Sequence, residues 1–210
     1  GAALWLWAVL AQATGMSGVL FAAIAACLPI LVTGGIHMDG YLDTVDALSS
    51  HQTCEKKLAI MKDANCGAFA VIYGGVYLLA YAGFAYEVFA AGHILLICPL
   101  FVLSRALSGL CAVNLPNARK SGMLCAFTSG VQRRTATAAL ALAGLAAAAG
   151  MVWMSPTAGG MAAAFAVVSA LKYRRFALAQ FGGVTGDTSG FFLQLCELCG
   201  LIGVWIGGLL

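Results

Sequence analysis

Charge is what this chain has least of. Eleven Lys or Arg and eight Asp or Glu are spread over 210 residues, and charged residues are 9% of the chain against 62% apolar. A soluble domain carries about 25% charged residues, and a core of this size could not stay dissolved behind so thin a polar shell. A water-soluble enzyme, a disordered segment and a nucleic-acid-binding module are thereby excluded. The net charge of +3 is too small to call for a polyanionic partner. Internal repeats of the transporter kind are also missing. The eight cysteines supply no disulfide framework, because most (Cys27, Cys98, Cys111, Cys125, Cys196, Cys199) lie in apolar runs and read as packing residues. Cys196 and Cys199 lack the second pair that a zinc site would need. The chain begins at Gly1 inside an apolar run without an initiator Met, so a short N-terminal segment is expected to precede it.

What the chain has in quantity is apolar runs near the length of about 20 residues that a membrane-crossing helix requires. They fall at Gly1 to Ala13, Ser17 to Thr33, Cys66 to Tyr86, Phe89 to Leu115, Thr135 to Met154, Thr157 to Leu171 and Thr188 to Leu210. The expected fold is all-α: a polytopic integral membrane helical bundle of about seven transmembrane helices, forming a single catalytic domain over residues 1–210. Gly203 and Gly207 form a GxxxG, a spacing that can join two copies but that recurs by chance among 26 glycines.

Three polar segments separate the runs: His37 to Asn65, Pro116 to Arg134 and Lys172 to Asp187. With seven alternating spans all three fall on one side, and they contain ten of the eleven basic residues and six of the eight acids. The positive-inside rule places that side in the cytoplasm and the C-terminus outside.

The most informative stretch is Gly34-Gly35-Ile36-His37-Met38-Asp39-Gly40-Tyr41-Leu42-Asp43-Thr44-Val45-Asp46. On a helix Asp39, Asp43 and Asp46 fall within roughly 60° of one face. Three like charges so close call for a divalent cation or a shared proton, and hard oxygen ligands suit Mg²⁺ or Mn²⁺. The plainer reading is a solvated face or an acidic first turn. His37 lies on roughly the opposite side, as a general base or an interfacial histidine. Gly34 and Gly35 either bring backbone close to a ligand or make a turn. Lys62 and Asp63, before the third span, could hold phosphate and join a metal shell, while Lys56 and Lys57 read as a basic collar. Arg105 and Glu197 are charges inside spans, costly unless they pair or line a cavity. Arg119 and Lys120 could grip phosphate. Thr185, Gly186 and Asp187 close a Gly-rich loop whose free N–H groups could face an anion, with Asp187 as a further metal ligand.

Four segments together, Gly34 to Asp46, Ile60 to Phe69, Pro116 to Gly122 and Gly182 to Asp187, resemble in order and spacing the signature segments of the cobalamin synthase family, adenosylcobinamide-GDP ribazoletransferase. Ala47 stands where that family often has Gly. The resemblance implies a Mg²⁺-dependent multi-pass enzyme of the bacterial cytoplasmic (inner) membrane, its active face cytoplasmic. Its substrates would be adenosylcobinamide-GDP and α-ribazole or the 5′-phosphate of α-ribazole, its products GMP and adenosylcobalamin or the phosphate, with a homo-oligomer allowed. It also implies that Asp39, Asp43 and Asp46 hold Mg²⁺ with Asp63 or Asp187 in support, that Lys62, Arg105 and Arg119 neutralise phosphate, and that His37 or a carboxylate is the base. A CDP-alcohol phosphotransferase fits poorly, since its motif closes on two aspartates four residues apart and Ser50 stands four beyond Asp46. In a transporter the carboxylates would lie near the membrane midplane.

A topology reporter fused after Leu210 is expected to read as external; a cytoplasmic signal would put the span count off by one.

Overall fold

The computed structural model describes residues 1–119 and 122–210. Among the described residues ten α-helices follow one another: α1 (Ala2–Thr14), α2 (Gly18–Thr33), α3 (Ile36–Ser49), α4 (Cys54–Ile60), α5 (Ala68–Ala90), α6 (Ile97–Asn114), α7 (Met123–Thr128), α8 (Arg133–Met154), α9 (Pro156–Phe181) and α10 (Gly186–Gly208), with one 3-10 turn at Ile94–Leu96. A helical bundle is what lipid demands, because a helix satisfies its own backbone polar groups.

All seven expected runs are helical, but their lengths differ from the expectation. Four helices, α5, α8, α10 and α6 with its leading 3-10 turn, are each long and apolar enough to span, and a fifth span results if α2 and α3 count as one bent pair. α1 has 13 residues. The third run continues to Ala90, and the break before the fourth falls at Ala91 to His93. The sixth run does not end at Leu171: α9 continues through Lys172, Arg174 and Arg175 to Phe181, so these cations sit on a helix, not in a loop. Long Lys and Arg stems can carry their charges out from such a helix end to water.

The bend between α2 and α3 is 97°. Gly34 and Gly35 make it, with φ of +65° and +81°, a left-handed backbone that side-chain-bearing residues rarely adopt. α3 therefore lies across the end of the bundle, not through it. Gly34 and Gly35 thus make a turn, and a Cβ at either would meet nothing within 4 Å.

α10 is the central helix, packed against α3, α5, α6 and α9. Its N-terminus is closed by a capping box in which the Thr185 hydroxyl accepts from the Thr188 N–H and the Thr188 hydroxyl accepts from the Thr185 N–H. Gly203 and Gly207 fit directly onto α9: a Cβ at 203 would stand 2.8 Å from Ala162 Cα, and one at 207 would stand 2.6 Å from Ala158 Cα. The GxxxG is thus a seam within one chain.

The same device sets α3 on α10. A Cβ at Gly40 would lie 2.7 Å from the Asp187 carbonyl oxygen, and one at Gly190 would lie 2.8 Å from the His37 carbonyl oxygen. Gly40→Ala is expected to cost about 1–3 kcal/mol by overpacking, read as a lower midpoint of thermal unfolding in detergent. Gly83→Ala on α5, where a Cβ would meet nothing, should be neutral or stabilising by up to about 1 kcal/mol. Equal behaviour of the two variants would refute the close crossing.

Candidate active site

The crossing of α3 over the start of α10 assembles a cluster of carboxylates. Asp39 is exposed and Asp43 half-buried, one turn apart on α3. Burial first, then the neighbouring charges of Asp39, Asp187 and Asp46, push the Asp43 carboxyl up from 3.8 to about 6, against a smaller opposing pull from Arg119. Like charges gathered in one space have this effect. Asp43 makes no hydrogen bond among the described residues.

Asp187 faces this pair from the first turn of α10 and is held by Arg119, whose Nη1 lies 2.9 Å from Asp187 Oδ2. Arg119 is brought there by a two-bond parallel bridge: the Val184 N–H donates to the Pro116 carbonyl and the Ala118 N–H to the Val184 carbonyl, both at 2.9 Å. Gly183 is required, because a Cβ there would stand 2.3 Å from the Pro116 carbonyl oxygen. The guanidinium also donates to the Leu58 carbonyl at 3.2 Å, tying α4 into the site.

Asp46 has a different task. Its carboxylate accepts from the N–H groups of Gly67 (2.5 Å) and Ala70 (2.9 Å), closing the N-terminus of α5. A Cβ at Gly67 would stand 2.6 Å from that carboxylate, so glycine and aspartate belong together. A carboxylate at this position also opposes the helix dipole favourably.

Deeper in the bundle, Glu197 is 2% exposed and forms an ion pair with Arg105. It accepts a further hydrogen bond from Ser104 at 3.1 Å. A carboxylate in the apolar interior is tolerable because the partly exposed Arg105 satisfies it. Arg105 also reaches back to α3, where its Nη2 lies 3.5 Å from His37 Nδ1. Burial and the Arg105 charge lower His37 from 6.5 to about 4. Arg105 is in addition the charged side chain in the wall of an apolar cleft of about 460 Å³ between α1, α2, α6 and α8.

The remaining expected residues have settings of their own. Asp63 is exposed and folds onto its own turn, accepting from the Asn65 N–H (3.0 Å) and side-chain amide (2.8 Å), and these bonds hold its carboxyl below the usual range. Lys62 is exposed beside it. Thr185 is 2% exposed, its hydroxyl engaged in the α10 cap, so it is not a free anion donor. Gly186 begins α10. Lys120 lies outside the described residues. Lys57 does not belong to a surface collar: it is buried at 8% exposure and donates to Gln180 on α9. Sequence spacing gave no sign of that pair or of the buried Tyr77–Gln194 hydrogen bond, since the partners lie more than a hundred positions apart.

Among the described residues, no three His, Cys, Asp or Glu side chains converge on one point as a metal cage. Asp39 and Asp43 nonetheless offer hard oxygen donors one turn apart. That donor set suits Mg²⁺, which is commonly held by one or two carboxylates with substrate phosphates completing its shell.

A family model described as Cobalamin-5-phosphate synthase matches residues 1–205. The chain belongs to this family. Its segments bearing Asp39, Asp43, Arg119 and Asp187 all lie within the matched residues. Similar curated proteins carry the name adenosylcobinamide-GDP ribazoletransferase. That of Lachnoclostridium phytofermentans is 40% identical over 183 residues, covering 87% of this chain and 70% of the relative. That of Stutzerimonas stutzeri is 34% identical over 207 residues, covering 97% and 81%. That of Desulfitobacterium hafniense is 31% identical over 210 residues, covering 98% and 81%. No solved structure gives a significant match.

The shifts at Asp43 and His37 act in opposite directions on stability. A carboxyl raised from 3.8 to about 6 binds more protons folded than unfolded in that window, so stability falls as pH rises through it. An imidazole lowered from 6.5 to about 4 binds fewer, so stability rises as pH rises from about 4 to 6.5. In chelator-treated protein, thermal unfolding of Asp43→Asn should lose part of the fall, and that of His37→Gln part of the rise, relative to the unaltered chain. Parallel pH profiles for the two variants would overturn both assignments.

Proposed function

We propose that the protein is a membrane-embedded adenosylcobinamide-GDP ribazoletransferase, joining α-ribazole or its 5′-phosphate to adenosylcobinamide-GDP and releasing GMP. The observation that carries this reading is the meeting of Asp39 and Asp43 with the Arg119–Asp187 pair at one end of the bundle, in a chain of this family. That end carries nearly all the basic residues, which supports a cytoplasmic active face in the inner membrane.

Transfer of this kind needs the acceptor hydroxyl in line with one phosphorus of the pyrophosphate and charge stabilised on the leaving oxygens. Asp39 and Asp43 would hold Mg²⁺, which supplies Lewis-acid charge neutralisation at the phosphates. Asp187, oriented by Arg119, supports that pair from α10. Arg119 and the exposed Lys62 offer cationic donors to phosphate oxygens. Asp46 acts through α5, fixing where α3 sits against it. His37, kept neutral with Nδ1 turned to Arg105, serves as an orienting group, so the proton of the attacking hydroxyl passes to a carboxylate that the metal does not occupy.

Purified protein given adenosylcobinamide-GDP, α-ribazole and Mg²⁺ should release GMP and form a complete corrinoid in equal amounts. Arg119→Gln should lower the rate about 10- to 100-fold, as loss of a supporting partner does, and Asp43→Ala should lower it further. Absence of product with the unaltered chain, or full activity in Asp43→Ala, would sink the assignment.

A further inference from the structure

α8 presents a basic end and a long apolar flank with nothing packed on it. At its start Arg133 is fixed to α6: Nε donates to Asn114 Oδ1 and Nη2 to the Asn114 carbonyl, both at 3.1 Å. The Asn114 amide in turn donates to the Thr137 hydroxyl at 3.0 Å. One edge of the Arg133 guanidinium is used in this way, and Nη1 has no partner among the described residues. Arg134 makes no hydrogen bond or ion pair among the described residues. Asn114, Arg133, Arg134 and Thr137 line a groove of about 540 Å³ whose floor continues over Ala138 and Ala141.

Two further observations say what fits there. α9 returns beside α8 through the single residue Ser155, which brings the exposed Lys172, Arg174 and Arg175 to the same end, and neither helix contains an acidic residue. Five cations therefore stand without compensating carboxylates on their own helices. Below Arg134, at helical spacing, runs an apolar flank of a spanning helix: Leu142 and Leu145 are 70% and 69% exposed. A ligand for this place has an anionic head at the level of the arginines and apolar tails along α8. A free phosphate would use the first feature and leave the second bare.

We propose that the groove between the end of α6 and the start of α8 seats the headgroup of an anionic phospholipid, with the acyl chains along α8. The seat draws on residues outside the carboxylate cluster and does not depend on the reaction assigned above. A cation near an anionic membrane surface contributes about 1 kcal/mol, roughly fivefold in affinity.

Native mass spectrometry of the detergent-purified full chain, titrated with phosphatidylglycerol or phosphatidylcholine of the same chain length, tests it. Phosphatidylglycerol should be retained in preference. Arg134→Gln, which disturbs no contact of the fold, should weaken that retention about fivefold, and Arg133→Gln/Arg134→Gln should erase the preference. Lys56→Gln, which removes an equal charge elsewhere on the same end, should leave it intact. Equal retention of the two lipids, an equal loss in Lys56→Gln, or displacement of the lipid by inorganic phosphate or by α-ribazole 5′-phosphate would each overturn the proposal.

Discussion

Two missing side chains decide where α3 lies. Gly40 and Gly190 let the backbones of α3 and α10 touch, and a methyl group at either would run into the backbone of the other helix. Interiors are too closely packed to absorb such an intrusion without displacement. Because α3 leaves α2 at nearly a right angle through Gly34 and Gly35, its place at the end of the bundle depends on its contacts with α10 and α5. The glycine contact converts it into a platform, and it is this contact that brings Asp39 and Asp43 opposite Asp187.

Charge inside the bundle follows from the same economy of space. Glu197 sits one side chain from Arg105, and Arg105 stands between that carboxylate and His37 at the head of α3. Removing Arg105 would leave the Glu197 carboxylate unpaired in an apolar interior, at a cost of several kcal/mol. The chain Glu197, Arg105, His37 therefore links the buried middle of α10 to α3 and complements the Arg119–Asp187 pair at the start of α10.

Much of this was legible in the residues. The apolar runs announced a helical membrane protein, and i, i+4 spacing put Asp39 and Asp43 on one face. The order of four short motifs pointed to the family. Less legible was the division of labour among the aspartates. Asp46 shares the stripe with Asp39 and Asp43, yet its two oxygens are occupied by the first N–H groups of α5, a helix that begins more than twenty positions later. Asp63 adjoins a motif but bonds within its own turn. Lys57 looked like one more interfacial cation until Gln180 was found beside it. Local spacing reports which face a side chain occupies, not what another helix brings to that face.

By itself the sequence determined that the chain lives in lipid, that its long apolar runs are helical and which end of the bundle holds the charge. These follow from composition and short-range periodicity, properties of neighbouring residues. Tertiary structure alone decided which carboxylates share a space, which one caps a helix, that the GxxxG seals α10 to α9 within one chain, and that Arg105 meets Glu197. Each of those depends on backbone approach between segments distant in the chain, set by where a Cβ is absent and where a buried charge must find its partner.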